Sequence, residues 1–272
     1  MVVPPVMKTA LWAAALRARS ANDPQSLVAD PFAIRLIGED GLAEGLAYEQ
    51  KHGAGIHMLR RTRLFDDLIL RIIGERSVGT VLYPGSGLDT RPYRLALPAS
   101  LTWIEIDFPN VLNWKAQALA GHDPACKLIR APADLTKPHA VQEAVKDIPT
   151  EGKCLIVMEN LLHYLDGLQT QNFFQDIRSF GSANMVLVDI GSPALPTSTL
   201  GKVMFGELEK AGSQRAGIAD IAAFAGHAGY RVLQSFPLFA LRGAPDSWKE
   251  TAPWYVSRAK QDLLRIVVLE RT

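Results

Sequence analysis

Short apolar segments alternate with helix-like segments along most of this chain, beginning near residue 78. The apolar segments are residues 80–83, 101–106, 127–130, 154–158, 185–190, 230–239 and 264–269. Helical patterns lie between them at 110–120, 139–145, 168–180 and 218–228. Because strands that alternate with helices form right-handed βαβ units, we predict an α/β fold with a seven-stranded, mostly parallel, doubly wound sheet. The last two strands lack a strong helical pattern between them, which favours an antiparallel pair at the sheet edge.

The first 75 residues carry helical patterns only, at 9–19, 32–37 and 56–73. Pro31 suits the start of the second of these helices, because proline is tolerated in a first helical turn. Gly38, Gly41 and Gly45 weaken the pattern that follows. We therefore expect the second helix to be short and the third to be a long amphipathic helix just ahead of the sheet.

The composition of the 272 residues is that of a soluble globular protein, with 48% hydrophobic and 21% charged residues. A net charge of +1 gives no general attraction for nucleic acid, so we expect no such partner. We expect no membrane partner either, because no uncharged run approaches the length of a membrane helix. Cys126 and Cys154 lack paired spacing, which is typical of reduced thiols in the cytoplasm. We predict a cytoplasmic protein whose partner is a small molecule.

A glycine-containing loop follows the first predicted strand, in the sequence Tyr-Pro-Gly-Ser-Gly-Leu-Asp-Thr-Arg of residues 83–91. Glycine lets the backbone approach a bound molecule closely and adopt positive φ. An ordinary tight turn between a strand and a helix would have the same appearance. The surrounding acidic residues favour a ligand loop that includes Gly85 and Gly87.

Carboxylates follow four successive predicted strands at the points where those strands end. They are Asp89 after the first strand, Glu105 and Asp107 on the second, Asp134 after the third and Glu159 after the fourth. Ligands of open α/β sheets bind at the carboxyl ends of the strands, so we expect these acids to lie along one edge.

The acids favour S-adenosylmethionine over a dinucleotide as the ligand. Asp107 lies about twenty residues past the glycines, where an acid binds the hydroxyls of an adenosine ribose. Thr90 replaces the third glycine of the dinucleotide motif, and Asp89 stands where a helix N-terminus would otherwise hold a pyrophosphate. We expect Asp89 to repel that dianion and to tolerate a ligand that carries an ammonium and a sulfonium.

The carboxylate of S-adenosylmethionine requires a cation, and the third helix offers Arg61 and Arg63. A guanidinium binds a carboxylate through two parallel hydrogen bonds. These arginines could equally pair with Asp66 and Asp67 on an exposed helix face, and the spacing leaves both interpretations open.

From Thr9 to Ile190 the sequence resembles the leucine carboxyl methyltransferase family, and in particular its bacterial branch of natural-product O-methyltransferases of the tetracenomycin polyketide type. The motifs that carry the resemblance are Thr9-Ala10, Arg17-Ala18, Asp30-Pro31-Phe32, Arg61-Thr62-Arg63, Asp66-Asp67, the loop 85–91, the segment 105–112, Ala133-Asp134-Leu135 and the segment 159–165. The resemblance implies a Rossmann-like class I methyltransferase that moves a methyl group from S-adenosyl-L-methionine to a carboxylate or hydroxyl oxygen.

The resemblance also implies roles for individual residues and segments. Matched to the family motifs, Arg61 grips the methionine carboxylate, Glu159 faces the methionine amino group, and Gly85 and Gly87 lie against the cofactor. Asp107 binds the ribose, and Asp134 and Leu135 bracket the adenine. Residues 1–75 form a helical cap, and residues 76–272 form the cofactor-binding domain with a lid at about 191–217.

The sequence departs from the family pattern near the expected acceptor pocket, where Asn160 and His163 replace a glycine and an apolar residue. His163 is the candidate base or acceptor contact, although a histidine packed at a helix start is more common. Trp248, Trp254 and Tyr255 could line an aromatic pocket or cover the sheet edge. We expect no metal, because the histidines lack ligand spacing.

Three functions fit these features. The leading interpretation is a small-molecule O-methyltransferase of secondary metabolism. The others are a protein C-terminal carboxyl methyltransferase and a protein that binds S-adenosylmethionine without transferring its methyl group.

Overall fold

The computed structural model describes residues 5–21, 23, 26–53, 55–150, 152–180, 183–198, 201–202, 217–239 and 263–272. Most of the predicted lid, at residues 203–216, lies outside this range. Trp248, Trp254 and Tyr255 also lie outside the described residues, so their proposed place in an aromatic pocket stays a prediction.

Three helices precede the sheet: α1 (Pro5–Arg19), α2 (Ala33–His52) and α3 (Gly55–Arg76). The strands are β1 (Val78–Pro84), β2 (Thr102–Asp107), β3 (Lys127–Pro132), β4 (Lys153–Met158), β5 (Ala183–Gly191), β6 (Tyr230–Pro237) and β7 (Leu264–Arg271). Between them lie α4 (Arg91–Arg94), α5 (Pro109–Ala118), α6 (Ala140–Val145), a 3-10 helix (Leu162–Tyr164), α7 (Gly167–Ser179) and α8 (Ile221–His227). The alternation of strands and helices predicted from residue 78 onward is confirmed.

The strands form one sheet in the order β3-β2-β1-β4-β5-β7-β6. Pairing is parallel from β3 to β5, whereas β7 is antiparallel to both β5 and β6. The predicted antiparallel terminal pair is therefore confirmed, with β7 inside the sheet and β6 at its edge. An apolar run such as β7 suits the inner position, because both its faces are covered, and β6 is more exposed along its length.

Alternate residues of each strand enter two separate apolar cores, one on each face of the sheet. In β1, Val81 and Tyr83 join the core that contains Phe65 and Ile69 of α3. Leu82 points to the opposite face, where α6, α7 and α8 pack. Helix α3 thus shares a core with the sheet that follows it, and the predicted division into a cap and a second domain at residue 75 stays a prediction.

The second helix is longer than its glycines suggested. Two helical segments meet at Gly38, whose non-helical φ of 63° and ψ of −178° interrupt the helix, and the second segment runs through Gly41 and Gly45 to His52. These two glycines face α1 at close range: a Cβ on Gly45 would lie 2.3 Å from the Cβ of Ala15. The predicted short helix over 32–37 is confirmed as the segment before Gly38. The expected weak structure around Gly41 and Gly45 is wrong, because these glycines allow two helix backbones to approach each other instead of ending a helix.

No helix among the described residues is both long enough and apolar enough to span a membrane.

The contact between α1 and α2 generates a stability prediction. Gly45→Leu should lower the free energy of unfolding by about 1–3 kcal/mol, because the added side chain must displace α1. Gly74→Ala in α3 is the control: a Cβ there has no neighbour within 4 Å, so this change should raise stability by about 0.5–1 kcal/mol. Urea denaturation measures both, and a wild-type midpoint for Gly45→Leu would contradict the close contact.

Candidate active site

The glycine loop after β1 is held against the end of β2. Gly85 and Gly87 have φ angles of 69° and 46°, which only glycine adopts without strain. The Gly85 amide donates to the carbonyl of Ile106 over 2.8 Å, and the Gly87 amide donates to Oδ2 of Asp107 over 2.7 Å. Both glycines thus adopt the positive φ expected of them, and the loop and Asp107 form one unit, while the role of the loop in ligand binding stays a prediction.

A cavity of about 620 Å³ opens beside this loop at the carboxyl edge of the sheet. Of the predicted cofactor residues, those that line it are Arg61, Gly85, Gly87, Asp107, Leu135 and Glu159. Helix α1 covers one side with Thr9, Ala10, Ala13 and Arg17. Residues that are more than 140 positions apart in the sequence therefore meet around one space of a size typical for small-molecule ligands.

Glu159 is buried at the end of β4 between two arginines. Its Oε1 accepts from Nε of Arg61 over 3.0 Å, and its Oε2 lies 2.8 Å from Nη2 of Arg91. Burial alone would raise the pKa of Glu159, but Arg91 and Arg61 outweigh it and lower that pKa to about 2. Glu159 is therefore a permanent anion in the cavity wall, and Arg61 is its cationic neighbour.

Arg91 is fully buried and joins several acids below the cavity. Its Nε lies 2.6 Å from Asp66, and its Nη1 lies 2.6 Å from Asp89. Arg94 also pairs with Asp66, over 2.6 Å. Asp89 lines the cavity and is paired with Arg91, which it shares with Asp66 and Glu159, so its expected repulsion of an anionic ligand stays a prediction. Asp89 also helps to position the start of α4 by accepting a hydrogen bond from the Arg91 amide over 2.8 Å.

The arginines and acids of α3 are divided between the site and the surface. Arg61 faces the cavity, Asp66 faces Arg91, and both are buried. Arg63 and Asp67 form an exposed pair over 2.9 Å, four positions apart. The open choice between Arg61 and Arg63 is resolved in favour of Arg61 as the residue that reaches the cavity.

Asp107 is buried and accepts two backbone amides, from Gly87 and from Phe108, each over 2.7 Å. Burial raises the pKa of Asp107, and these two amide hydrogen bonds oppose the increase. The carboxylate is thus fixed at the rim of the glycine loop, where it could accept hydrogen bonds from hydroxyl groups of a ligand.

Asp134 itself does not line the cavity, whereas Ala133, Leu135 and Thr136 around it do, and its contact with the adenine stays a prediction. The Asp134 carboxylate accepts from the amide and the hydroxyl of Thr136, over 3.0 Å and 2.6 Å. The hydrogen bond from the hydroxyl is the main reason that the pKa of Asp134 is lowered. The geometry places an apolar wall of Ala133 and Leu135 here, with Asp134 next to it.

Glu105, the other acid of β2, lies outside the cavity. It is fully buried, pairs with Lys115 of α5 over 2.6 Å and contacts Arg130 of β3 over 3.1 Å. Glu105 stabilises the packing of α5 on the sheet. It is therefore not one of the acids at the cavity, contrary to the expectation that all the strand-end acids lie along one edge.

His163 lies in the 3-10 helix, and the cavity lining does not include it. Its Nε2 is 3.9 Å from Oδ2 of Asp189, and a Cβ on Gly191 would lie 2.9 Å from its ring. The ring is thus packed against the end of β5, next to Tyr164, which does line the cavity. Its role as a base or acceptor contact stays a prediction.

Two residues at or next to the cavity, Asp189 and Tyr164, were not predicted from the sequence. Asp189 is fully buried at the end of β5, where Arg61 approaches it to 3.5 Å. Burial raises the pKa of Asp189 to about 6, although Arg61 opposes the increase. Tyr164 lines the cavity, and its hydroxyl lies 2.6 Å from the Thr9 hydroxyl of α1. An acid inside the apolar run 185–190 was the available signal for Asp189.

Among the described residues, no group of three or more His, Cys, Asp or Glu side chains could hold a metal ion. Cys126 and Cys154 are buried free thiols, and burial raises their pKa values to about 11 and about 12.

The position of Arg91 generates a stability prediction. Arg91→Met should lower the free energy of unfolding by about 3–5 kcal/mol, because it leaves buried carboxylates without their shared cation. Arg63→Met removes an exposed pair and should cost less than about 1 kcal/mol. If urea denaturation gave equal losses for the two variants, Arg91 would not hold the network together.

Comparison with known proteins identifies the family of this chain. The model of the family described as leucine carboxyl methyltransferase matches residues 10–178. A protein of Mycobacteroides abscessus named as an S-adenosyl-L-methionine-dependent methyltransferase is 31% identical over 223 residues, which cover 76% of this chain and 70% of the relative. One of Mycolicibacterium smegmatis with the same type of name is 33% identical, over 69% of this chain and 67% of the relative.

Two solved structures share the fold. A DUF574 family protein from Streptomyces avermitilis superposes with a TM-score of 0.63 at 13% identity, over 94% of this chain and all of that one. A protein from Thermobifida fusca, assigned to the methyltransferases, gives 0.63 at 14% identity, over 88% and 92%. These likenesses confirm the predicted fold class. With the family match over most of the cavity-forming residues, they lead to one conclusion: the chain belongs to the leucine carboxyl methyltransferase family.

Proposed function

We propose that this protein transfers the methyl group of S-adenosylmethionine to an oxygen atom of a small molecule, either a carboxylate or a phenolic hydroxyl, in secondary metabolism. Methyl transfer and the cofactor have the support of family membership and of the relatives' shared names. The observation that carries the site assignment is the Arg61–Glu159 pair in the cavity wall beside the glycine loop.

The charged and polar groups of the cavity match the chemistry of the cofactor. Arg61 would bind the methionine carboxylate and Glu159 the ammonium group, so their mutual ion pair occupies the place of a zwitterion. Asp107 would bind the ribose hydroxyls, and Gly85 and Gly87 would let the backbone approach the ligand. Leu135 would cover the adenine, with Asp134 at the side of its amino group. The cofactor supplies a methyl group that its sulfonium already activates.

The chain would then promote transfer mainly by alignment and by exclusion of water. The α1 residues Thr9, Ala10 and Ala13 cover the cavity with small side chains and thus leave room for an acceptor. Their cover also reduces the access of water, which strengthens the polar contacts below it. Because an in-line methyl transfer needs little other assistance, alignment in this space is the main contribution required of the protein.

The acceptor decides whether a base is needed. A carboxylate is ionised at neutral pH and needs none, whereas a phenol with a pKa near 10 benefits from one. For a phenol we keep His163 as the candidate base, since its Nε2 faces Asp189 and its neighbour Tyr164 lines the cavity.

A protein C-terminus is the second candidate acceptor, because the description of the matching family refers to a leucine carboxyl group. In both cases the methyl group would go to an oxygen atom of the acceptor. A small-molecule carboxylate and a protein C-terminal carboxylate differ in the atoms that surround the reacting group. We favour the small molecule because α1 lies over one side of the cavity, whose volume of about 620 Å³ suits small-molecule ligands.

Methyl transfer to defined acceptors tests this proposal. The protein is incubated with methyl-labelled S-adenosylmethionine and with phenols, carboxylic acids and a peptide that ends in leucine, with the amidated peptide as its control. We expect label in a phenol or a small carboxylic acid. With a phenol, His163→Ala should lower turnover by about 10²–10⁴-fold, and with a carboxylic acid it should not.

Label in the free peptide alone would contradict the small-molecule assignment and favour the second candidate. Bound cofactor without transfer to any acceptor would favour a protein that holds S-adenosylmethionine without using it. Unchanged phenol turnover in His163→Ala would exclude the base role.

A further inference from the structure

The Asp189 carboxylate lies directly behind the cavity wall, at the end of β5. It is fully buried, and the residues that line the cavity do not include it. Its Oδ1 accepts from the Asn160 amide over 2.7 Å, and its Oδ2 lies 3.5 Å from Nη1 of Arg61. Nε2 of His163 lies 3.9 Å from the same Oδ2. Asp189 therefore touches the residue that follows Glu159 and also touches Arg61.

Asp189 and Glu159 hold different edges of the same guanidinium. Glu159 binds Nε of Arg61 over 3.0 Å, and Asp189 approaches Nη1. A ligand that brings both a carboxylate and an ammonium would compete with the contact between Arg61 and Glu159. The contact with Asp189 would remain, because Asp189 does not line the cavity, and it would keep Arg61 oriented while the partner of its Nε is exchanged.

The same carboxylate also fixes the backbone next to Glu159. Asn160 has a φ of 61°, which is uncommon for a residue other than glycine. Its amide donates to Asp189 in that conformation, and its side-chain oxygen lies 3.4 Å from Nη1 of Arg61. A buried charge is costly unless it is paired and hydrogen-bonded, and these contacts satisfy Asp189 on two sides.

We propose that Asp189 is a positioning residue for the amino-acid end of the cofactor, because it orients Arg61 directly and Glu159 through the Asn160 backbone. The proposal rests on the function proposed above, in which Arg61 and Glu159 receive the carboxylate and the ammonium. It predicts that Asp189 affects only ligands that possess an amino-acid end.

Two ligands separate this role from general support of the fold. S-adenosylhomocysteine carries the amino-acid end, and 5′-methylthioadenosine has the same nucleoside without it. Asp189→Asn keeps an oxygen for the Asn160 amide and removes the charge that faces Arg61. By calorimetric titration, we expect this change to weaken S-adenosylhomocysteine at least tenfold and 5′-methylthioadenosine by less than twofold.

The control is Asp176→Asn, which changes a buried carboxylate of α7 that contacts His139 and does not line the cavity. It should alter neither affinity. Asp189→Ser, whose hydroxyl can also accept the Asn160 amide, repeats the comparison if the first variant unfolds during titration.

Unchanged affinity of Asp189→Asn for S-adenosylhomocysteine would overturn the positioning role and leave the cofactor site intact. Equal weakening of both ligands would overturn it as well, because it would indicate general support of the fold. Wild-type protein that binds neither ligand would overturn the cofactor site and this proposal together.

Discussion

Buried carboxylates at the carboxyl edge of the sheet require buried cations, and the architecture around the cavity follows from this need. Arg91 pairs with Asp66, Asp89 and Glu159 from a fully buried position, and Arg94 at Asp66 and Arg61 at Glu159 supply the other two positive charges. The three acids lie on α3, in the loop after β1 and at the end of β4, so one guanidinium joins three parts of the chain. A buried acid without such a partner would take up a proton or destabilise the fold. The network therefore sets the positions of the glycine loop and of Glu159 before any ligand binds.

The network also explains how a cavity with few free charges can accept a zwitterion. Arg61 and Glu159 neutralise each other across 3.0 Å. The carboxylate of a zwitterionic ligand can replace Glu159 as the partner of Arg61, and the ligand's ammonium can replace Arg61 as the partner of Glu159. Binding therefore exchanges one set of ion pairs for another. The net charge of the wall is then conserved. The cost of separating Arg61 from Glu159 is limited because Arg91 stays with Glu159 and Asp189 stays with Arg61. In this account, the cofactor replaces an ion pair that the folded protein already contains.

Much of this arrangement could be predicted from the sequence, because apolar runs and strand-end acids report on local structure. The seven strands, the loop at Gly85, and the access of Asp107 and Glu159 to one edge were predicted correctly. The burial of Asp66 was not predicted, because helical periodicity does not reveal that an arginine from another helix will cover a polar face. Asp189 was missed since its strand was interpreted as purely apolar. Gly45 was taken as a weak helical position because its partner, Ala15, is close only in the folded chain.

The structure of the complex with S-adenosylhomocysteine tests the exchange of ion pairs most directly. We predict that the homocysteine carboxylate binds Arg61, that its ammonium binds Glu159, and that the ribose hydroxyls bind Asp107. We also predict that Nε of Arg61 and Oε1 of Glu159, 3.0 Å apart in the free protein, no longer contact each other directly. A complex in which Arg61 and Glu159 keep this contact, with the amino-acid end of the ligand bound elsewhere, would contradict the exchange of ion pairs.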